Sequence, residues 1–389
     1  MTSQPLSPQS IACSLVAGLL LSFTPSDAQE TKEAIQPEKP TYSAAQWLKQ
    51  FDSDKDGKIA KSETSGLMER FFGRNDTNSD GFLDQKELQD LADRLAKRAP
   101  NEAKPGNQPS SDQSTKRLLE SAPDDVTIEA DIAYRDGDSK AWKLDLIMPK
   151  EDSDTPRPGI VFVHGGGWKN GDKRAGTFLS GAIEYARKGY VCITINYRLL
   201  GEAPFPASIE DVKCAVRWFR ANAAKYNLDP DRIGGYGNSA GAHLVAMLGL
   251  AGPEAKLEGD GPYQDQSSLL QAVCASATPT DFALFGRDPG SDSKWANPNY
   301  DPAELARLSA PMTHVKAEAP PFLLFHGTAD KTVNVKHSDL LVAALKDAGA
   351  KDITYLRIEG SGHGVYHQNR DETFPAMEAF FARTLGQSD

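Results

Sequence analysis

The stretch RIGGYGNSAGAHLVAMLGL, Arg232 to Leu250, decides the fold. Arg232 to Tyr236 has the pattern of a short strand and runs into Gly237; Ala242 to Leu250 is an apolar helical segment. Between them stands Gly237-Asn238-Ser239-Ala240-Gly241, a G-x-S-x-G pattern. A serine on a sharp strand-to-helix turn is held in a strained backbone, and the flanking glycines remove side chains that would clash there. The helix start adds partial positive charge where negative charge would develop. Out of context these five residues describe a Gly-rich turn with a capping serine. Flanked by strand and helix, they make Ser239 a candidate nucleophile.

Working outward, apolar strand patterns alternate with helical ones from about Arg117 to Leu385. Val126 to Tyr134 and Trp142 to Met148 read as opening strands. Gly159 to Val163 and Tyr190 to Tyr197 are apolar on both faces, as buried parallel strands are. Ile209 to Tyr226 carries a helical stripe through Val212, Ala215, Val216 and Phe219. Leu270 to Ala277, Phe322 to His326 and Ile353 to Ile358 read as later strands, with helices at Lys336 to Asp347 and Thr373 to Leu385. The alternation predicts an α/β fold, a mostly parallel sheet with helices on both faces. Gly252 to Ser267 and Gly286 to Asn299 are expected as surface loops over the site.

His164-Gly165-Gly166-Gly167-Trp168 follows the first buried strand. Three glycines let backbone amides approach a substrate oxygen closely, so Gly165 and Gly166, with Ala240, are the expected oxyanion donors. A phosphate cradle would need a helix start and a Lys-Ser/Thr pair, and neither follows. Among the seven histidines, His363 lies in the loop Gly360-Ser361-Gly362-His363-Gly364 after the last predicted strand and is the candidate base. His164, His243 and His326 read as structural; His314, His337 and His367 lie in polar stretches and are expected to be solvated. Asp330, after the Phe322 to His326 strand, is the candidate acid, with Asp281 the competitor. The order Ser239, Asp330, His363 is that of the α/β-hydrolases.

These motifs, with Gly171-Asp172-Lys173, Asn196-Tyr197-Arg198 and the run FPASIEDVKCAVRWFRANAAKYNLDPDRI, resemble the serine-esterase branch of α/β-hydrolases. That branch includes hormone-sensitive-lipase-like carboxylesterases and bacterial feruloyl or acetyl-xylan esterases. The resemblance spans about Val126 to the C-terminus. It implies an α/β-hydrolase fold and hydrolysis of small acyl esters, acetyl or feruloyl groups on polysaccharide among them, through acyl transfer to Ser239. The long N-terminal helical cap of the hormone-sensitive-lipase-like enzymes is missing, which implies an open site. Arylformamidase or peptidase chemistry on the same fold is the enzymatic alternative. A calcium-dependent binding protein with a scaffold hydrolase domain is the non-enzymatic one.

A different chemistry precedes this region. Asp52-x-Asp54-x-Asp56-Gly57-Lys58-Ile59-x-x-x-Glu63 and Asp76-x-Asn78-x-Asp80-Gly81-Phe82-Leu83-x-x-x-Glu87 fit the twelve-residue calcium loop twice. Alternate acidic side chains supply hard oxygens. Lys58 and Phe82 would add backbone carbonyls, and Glu63 and Glu87 would close each site bidentately. Ile59 and Leu83 are placed to pair as a short ladder. The segment resembles the EF-hand family over about Tyr42 to Lys97, a small all-α module. One helix, Ser62 to Phe72, must serve both loops, which departs from a standard pair. Calcium is the expected cofactor here and is not required for ester chemistry. The module is expected to be structural or to dock a protein partner.

The chain thus divides into an export signal (1–28), an EF-hand pair (41–98), a flexible linker rich in Pro, Asn, Ser and Gln (99–116) and an α/β-hydrolase domain (117–389). Ile11 to Phe23 is apolar but too short to span a bilayer, and Ser26-Asp27-Ala28 offers small residues for cleavage, so an exported protein is expected. Cys13 leaves with the signal. Cys192, Cys214 and Cys274 sit in apolar surroundings and are expected as buried thiols, the alternative being one bridge and a free cysteine. A net charge of −11 argues against nucleic-acid or anionic-membrane partners, which reward basic surfaces.

Overall fold

The protein is described by a computed structural model covering residues 44–52, 54–64, 72, 75–98, 120–175, 177–285 and 297–386. The expected signal and linker lie outside these residues, as do most of the predicted helix 62–72 and of the loop 286–299. The chain forms two compact units, Met1–Gln108 and Pro109–Asp389.

In the first unit, α1 (Ala44–Phe51) and α2 (Gln85–Arg98) flank two loops. The strands β1 (Ile59–Ala60) and β2 (Phe82–Leu83) pair antiparallel with Ile59 opposite Leu83. Both residues are fully buried, joining Ala44, Phe72, Leu88 and Leu91 in a small core. The ladder therefore sets the two loops back to back. Lys61–Glu63 forms a 3-10 turn.

The second unit is built on an eight-stranded sheet. Its strands are β3 (Val126–Ala133), β4 (Lys143–Pro149), β5 (Arg157–Val163), β6 (Val191–Ile195), β7 (Leu228–Asn238), β8 (Ala272–Ser276), β9 (Phe322–Gly327) and β10 (Ile353–Ile358). They lie in the order β10-β9-β8-β7-β5-β6-β4-β3. β4 alone runs against its neighbours, so the sheet is mostly parallel. Alternation along β5 shows how one sequence feeds two cores. Val161 and Val163 face one cluster with α4 (Ala207–Ala221) and α5 (Ala240–Leu250), while Ile160 and Phe162 face the other with α3 (Thr177–Ala186) and α9 (Arg370–Leu385). The remaining helices are α6 (Pro302–Ser309), α7 (Lys336–Asp347) and the short α8 (Val365–Gln368). Cys192, Cys214 and Cys274 are buried and unbridged. Among the described residues no helix is long and apolar enough to cross a membrane.

Two expectations are corrected. The helix read as Ile209 to Tyr226 ends at Ala221, because Asn222 caps it and Leu228 N turns back to bond Ala223 O (2.9 Å), starting β7 early. The 252–267 segment runs along α4 and is pinned there. Glu258 accepts from Lys213 Nζ (2.7 Å) and Arg217 Nη1 (2.6 Å), two side chains almost without exposed surface. At the start of the parallel strands, on the rim opposite their C-terminal ends, a groove of about 520 Å³ is lined by Asp125, Lys150, Glu151, Arg157, Arg187 and Gly189.

Candidate active site

The C-terminal ends of β5, β7 and β9, and the loop after β10, carry Gly165, Gly166, Ser239, Ala240, Asp330 and His363, while the competitor Asp281 follows β8, as expected of a parallel α/β sheet. Ser239 joins β7 to α5 with φ +55° and ψ −121°, a conformation that a side chain rarely adopts. The flanking glycines are dictated by contact. A Cβ on Gly237 would stand 2.3 Å from Gly241 C, and one on Gly241 would stand 2.1 Å from Val163 O. Ser239 N donates to Ser276 O at the end of β8 (2.9 Å), which anchors the elbow to the sheet.

Ala240 opens α5, so its N–H has no intrahelical acceptor. Gly165 lies across the nucleophile: a Cβ there would be 2.8 Å from Asn238 O and 3.4 Å from Ser239 Cβ. Gly166 adopts φ +112°, and a Cβ there would meet Asn170 O at 2.0 Å. The loop is held by Tyr197, whose hydroxyl donates to His164 O (2.9 Å) and whose ring stacks on the His164 imidazole at 4.4 Å. His164 is buried, which pushes its pKa down, and its Nδ1 lies 2.8 Å from Gly165 O. It acts as a structural hydrogen-bonder within the loop.

His363 Nδ1 lies 2.7 Å from Asp330 Oδ2. The second oxygen, Oδ1, accepts from the Thr332 and Val333 amides (2.8 and 3.0 Å). Burial alone would raise the Asp330 carboxyl. Hydrogen bonds from His326, His363 and the Val333 amide outweigh it and hold the group well below the usual carboxylate range. Asp330 thus stays ionised and fixes the tautomer of His363, leaving Nε2 as the base. The loops are laced together, with Ala329 N donating to Ser361 O (2.9 Å) and Gly360 N to Thr328 Oγ1 (2.8 Å). Ser239 Oγ and His363 share no hydrogen bond in this conformation; such contacts commonly tighten only with substrate present. Asp281 does not reach His363. Its amide points at His337 Nδ1 (3.4 Å).

His326 is buried between Ser338 Oγ (2.7 Å) and Val333 O (2.9 Å), and His314 binds Leu308 O (2.9 Å). His337 overturns its expectation: it is fully buried and its Nδ1 accepts from Thr280 N (3.1 Å), because the start of α7 packs onto the segment after β8. One element escaped the sequence reading. Lys173 and Arg174 plug into Asp131 and the fully buried Asp145 (2.5 to 3.1 Å). Adjacent basic residues directly after the glycine-rich loop were the available signal.

In the first unit both calcium-type loops are formed. Gly57 and Gly81 take φ +83° and +85°, and their amides donate to Asp52 Oδ2 (3.0 Å) and Asp76 Oδ2 (3.1 Å). The carboxylate oxygens of Asp52, Asp54 and Glu63 lie within 4.8 Å of one another, a spacing one cation can bridge. Asp56, Asn78 and Asp80 turn into their loops, accepting amides at 2.8 to 2.9 Å. Glu87 closes the second loop onto Thr77 N (2.7 Å) and Asp84 N (3.2 Å).

A BD-FAE family model matches residues 144–345, from β4 into α7. The chain belongs to the BD-FAE family. An EF-hand model matches residues 44–68 and 67–92. The BD-FAE region has the α/β-hydrolase fold. It is similar to a truncated carbohydrate esterase from gut microbiota, at 29% identity and a TM-score of 0.60, covering 67% of this chain and 97% of that one. A bifunctional GH43-CE protein of Bacteroides eggerthii is 32% identical, with a TM-score of 0.58, covering 67% of this chain and 38% of that one. Among curated proteins, esterase LipC of Mycobacterium tuberculosis is 30% identical over 62% of each chain. The matches span 62% or less of the length of the first such relatives.

Proposed function

We propose that this protein is a serine carboxylesterase that uses Ser239, His363 and Asp330. The observation that carries the reading is the buried Asp330 bound to His363 Nδ1, on loops at the same end of the sheet as the strained serine. His363 Nε2 takes the Ser239 proton as Oγ attacks the ester carbonyl, then gives it to the leaving alcohol. Water repeats the sequence on the acyl-enzyme. Amides of Gly165, Gly166 and Ala240 receive the negative charge in both tetrahedral intermediates. Each such donor contributes about 10²–10³ in rate.

The substrate we infer is a small acyl ester on polysaccharide, acetyl or feruloyl. It is supported by the likeness to a carbohydrate esterase and to a GH43-CE protein. We further infer that calcium is bound in the first unit. Asp52, Asp54, Asp56, Glu63 and the Lys58 carbonyl would hold one ion, and Asp76, Asn78, Asp80, Glu87 and the Phe82 carbonyl a second. The ion would supply loop rigidity and no step of ester cleavage. The apolar run Ile11 to Phe23 supports export. Release of nitrophenol from 4-nitrophenyl acetate and of acetate from acetylated xylan tests the reading. Wild type should turn over both and Ser239→Ala neither; equal rates in the two proteins would exclude it.

A further inference from the structure

Trp168 ends the glycine run of the oxyanion loop with φ +56°. Its carbonyl accepts from Leu200 N (2.8 Å). Its indole N–H points at Nδ1 of His243 (3.3 Å), and the two rings meet edge to face with centroids 5.2 Å apart. The other nitrogen of His243, Nε2, lies 2.7 Å from the carbonyl oxygen of Ser309. A carbonyl only accepts, so Nε2 carries the proton. An indole N–H only donates, so Nδ1 is bare. One neutral tautomer satisfies both partners. The ring has no exposed surface, and burial pushes its pKa down to about 4.

His243 sits one turn after the nucleophile, and its own amide donates to Ser239 O (3.0 Å). The imidazole therefore spans from the helix that presents Ser239 to the loop that presents the glycine amides. Its far end is fixed on Ser309, the last residue of α6. Phe282 packs against both rings, with centroids 5.4 Å from Trp168 and 5.5 Å from His243.

We propose that His243 is a positioning residue of the reaction: by accepting from Trp168 and donating to Ser309, it sets the distance between the Gly165 and Gly166 amides and Ser239. The proposal rests on the esterase reading and deepens it. The loop is shaped by a backbone turn onto Gly166 O and anchored by Tyr197 at its start, and Trp168 anchors its far end. Gly166 and Gly167 adopt positive φ and carry no side chain, and glycine retains the most backbone freedom of any residue. The first residue after them with a side chain is Trp168, and His243 is a hydrogen-bond partner of that side chain. Burial demands a partner at both nitrogens of any histidine; what sets His243 apart is where those partners lie, one on the oxyanion loop and one at the end of α6.

The test uses the full-length protein and three substitutions. His243→Phe keeps an aromatic ring and removes both nitrogens. Trp168→Phe removes the indole N–H. His243→Gln keeps one acceptor and one donor on a planar group. Turnover of 4-nitrophenyl acetate is measured with inhibition by phenylboronic acid, whose tetrahedral adduct on serine places an oxygen in the oxyanion site. Displacing reacting groups by about 1 Å costs on the order of 10² in rate, so His243→Phe and Trp168→Phe should each lower kcat by about 10- to 100-fold. KM should hold, and boronic acid inhibition should weaken by the same factor as kcat. The double variant should be no worse than either single one, and His243→Gln should recover most of the loss. A His243→Phe protein that melts earlier but keeps its kcat and its boronic acid affinity overturns the proposal. If that variant does not fold, unchanged kcat in Trp168→Phe overturns it equally. A wild-type protein that cleaves no ester overturns the esterase reading, and the proposal with it.

Discussion

Asp330 receives His363 Nδ1 on one carboxylate oxygen and two backbone amides on the other, with no side-chain surface exposed to water. Every lone pair that burial would strand is used, so the carboxylate is stable as an anion and the imidazole has one orientation. Asp330→Asn keeps the shape and forces the wrong tautomer. It should lower kcat by about 10⁴-fold, read with 4-nitrophenyl acetate at neutral pH.

The same carboxylate gives a pH signature in stability. An aspartate in an unfolded chain titrates near about 3.9, and Asp330 in the folded chain titrates well below that. The unfolded state therefore binds the proton first as pH falls. The stabilisation from Asp330 is complete above about pH 4 and is lost between there and its lower folded value. Denaturant unfolding of wild type and Asp330→Asn should differ at neutral pH and converge on acidification. A gap that widens below pH 4 would contradict this.

Backbone strain at Ser239 predicts a stabilised but inert variant. A side chain at φ +55° costs about 1–3 kcal/mol, and the entropy of an added glycine offsets about 0.5–1 kcal/mol of any relief. Ser239→Gly should be more stable than Ser239→Ala by about 1 kcal/mol, with neither active. Urea midpoints of the two variants decide it.

Glu258 is the carboxylate shared by Lys213 and Arg217, whose side chains are sealed from water. Glu258→Gln leaves two buried cations facing an amide and should destabilise the second unit by about 3 kcal/mol. The expected readout is a lower urea midpoint with the slope unchanged.

Calcium titration by calorimetry should show binding in the range of about 10⁻⁴–10⁻³ M, lost stepwise in Glu63→Gln and Glu87→Gln. A chelator should leave kcat/KM for a small ester unchanged. A fall in kcat/KM on chelation would show that the loops act on the esterase site.

Much of this was legible in the sequence, and the reasons differ by element. β10 and α7 were read to the residue because each has a regular pattern with polar or glycine flanks. The Ser239, Asp330, His363 order was readable because each lies directly after a strand. α3 carries Gly181 in its interior, a poor helix former; a Cβ there would press on Phe162 at 3.1 Å, so the residue is set by tertiary packing that the sequence does not display. His337 looks solvated among Lys336, Ser338 and Asp339 in the sequence, and it is tertiary contact with Thr280 and the Phe285 ring that buries it. The Trp168 and His243 pair joins residues 75 positions apart, and nothing local announces it.

The groove lined by Lys150, Arg157 and Arg187 lies at the start of the parallel strands, while the nucleophile lies at their finish. Chemical coupling of the exposed Lys150 to a bead or a sensor surface would therefore leave the reactive mouth pointing toward the medium. Any tag or fusion attached at that base meets the least risk of obstructing a bulky polymer on its way in.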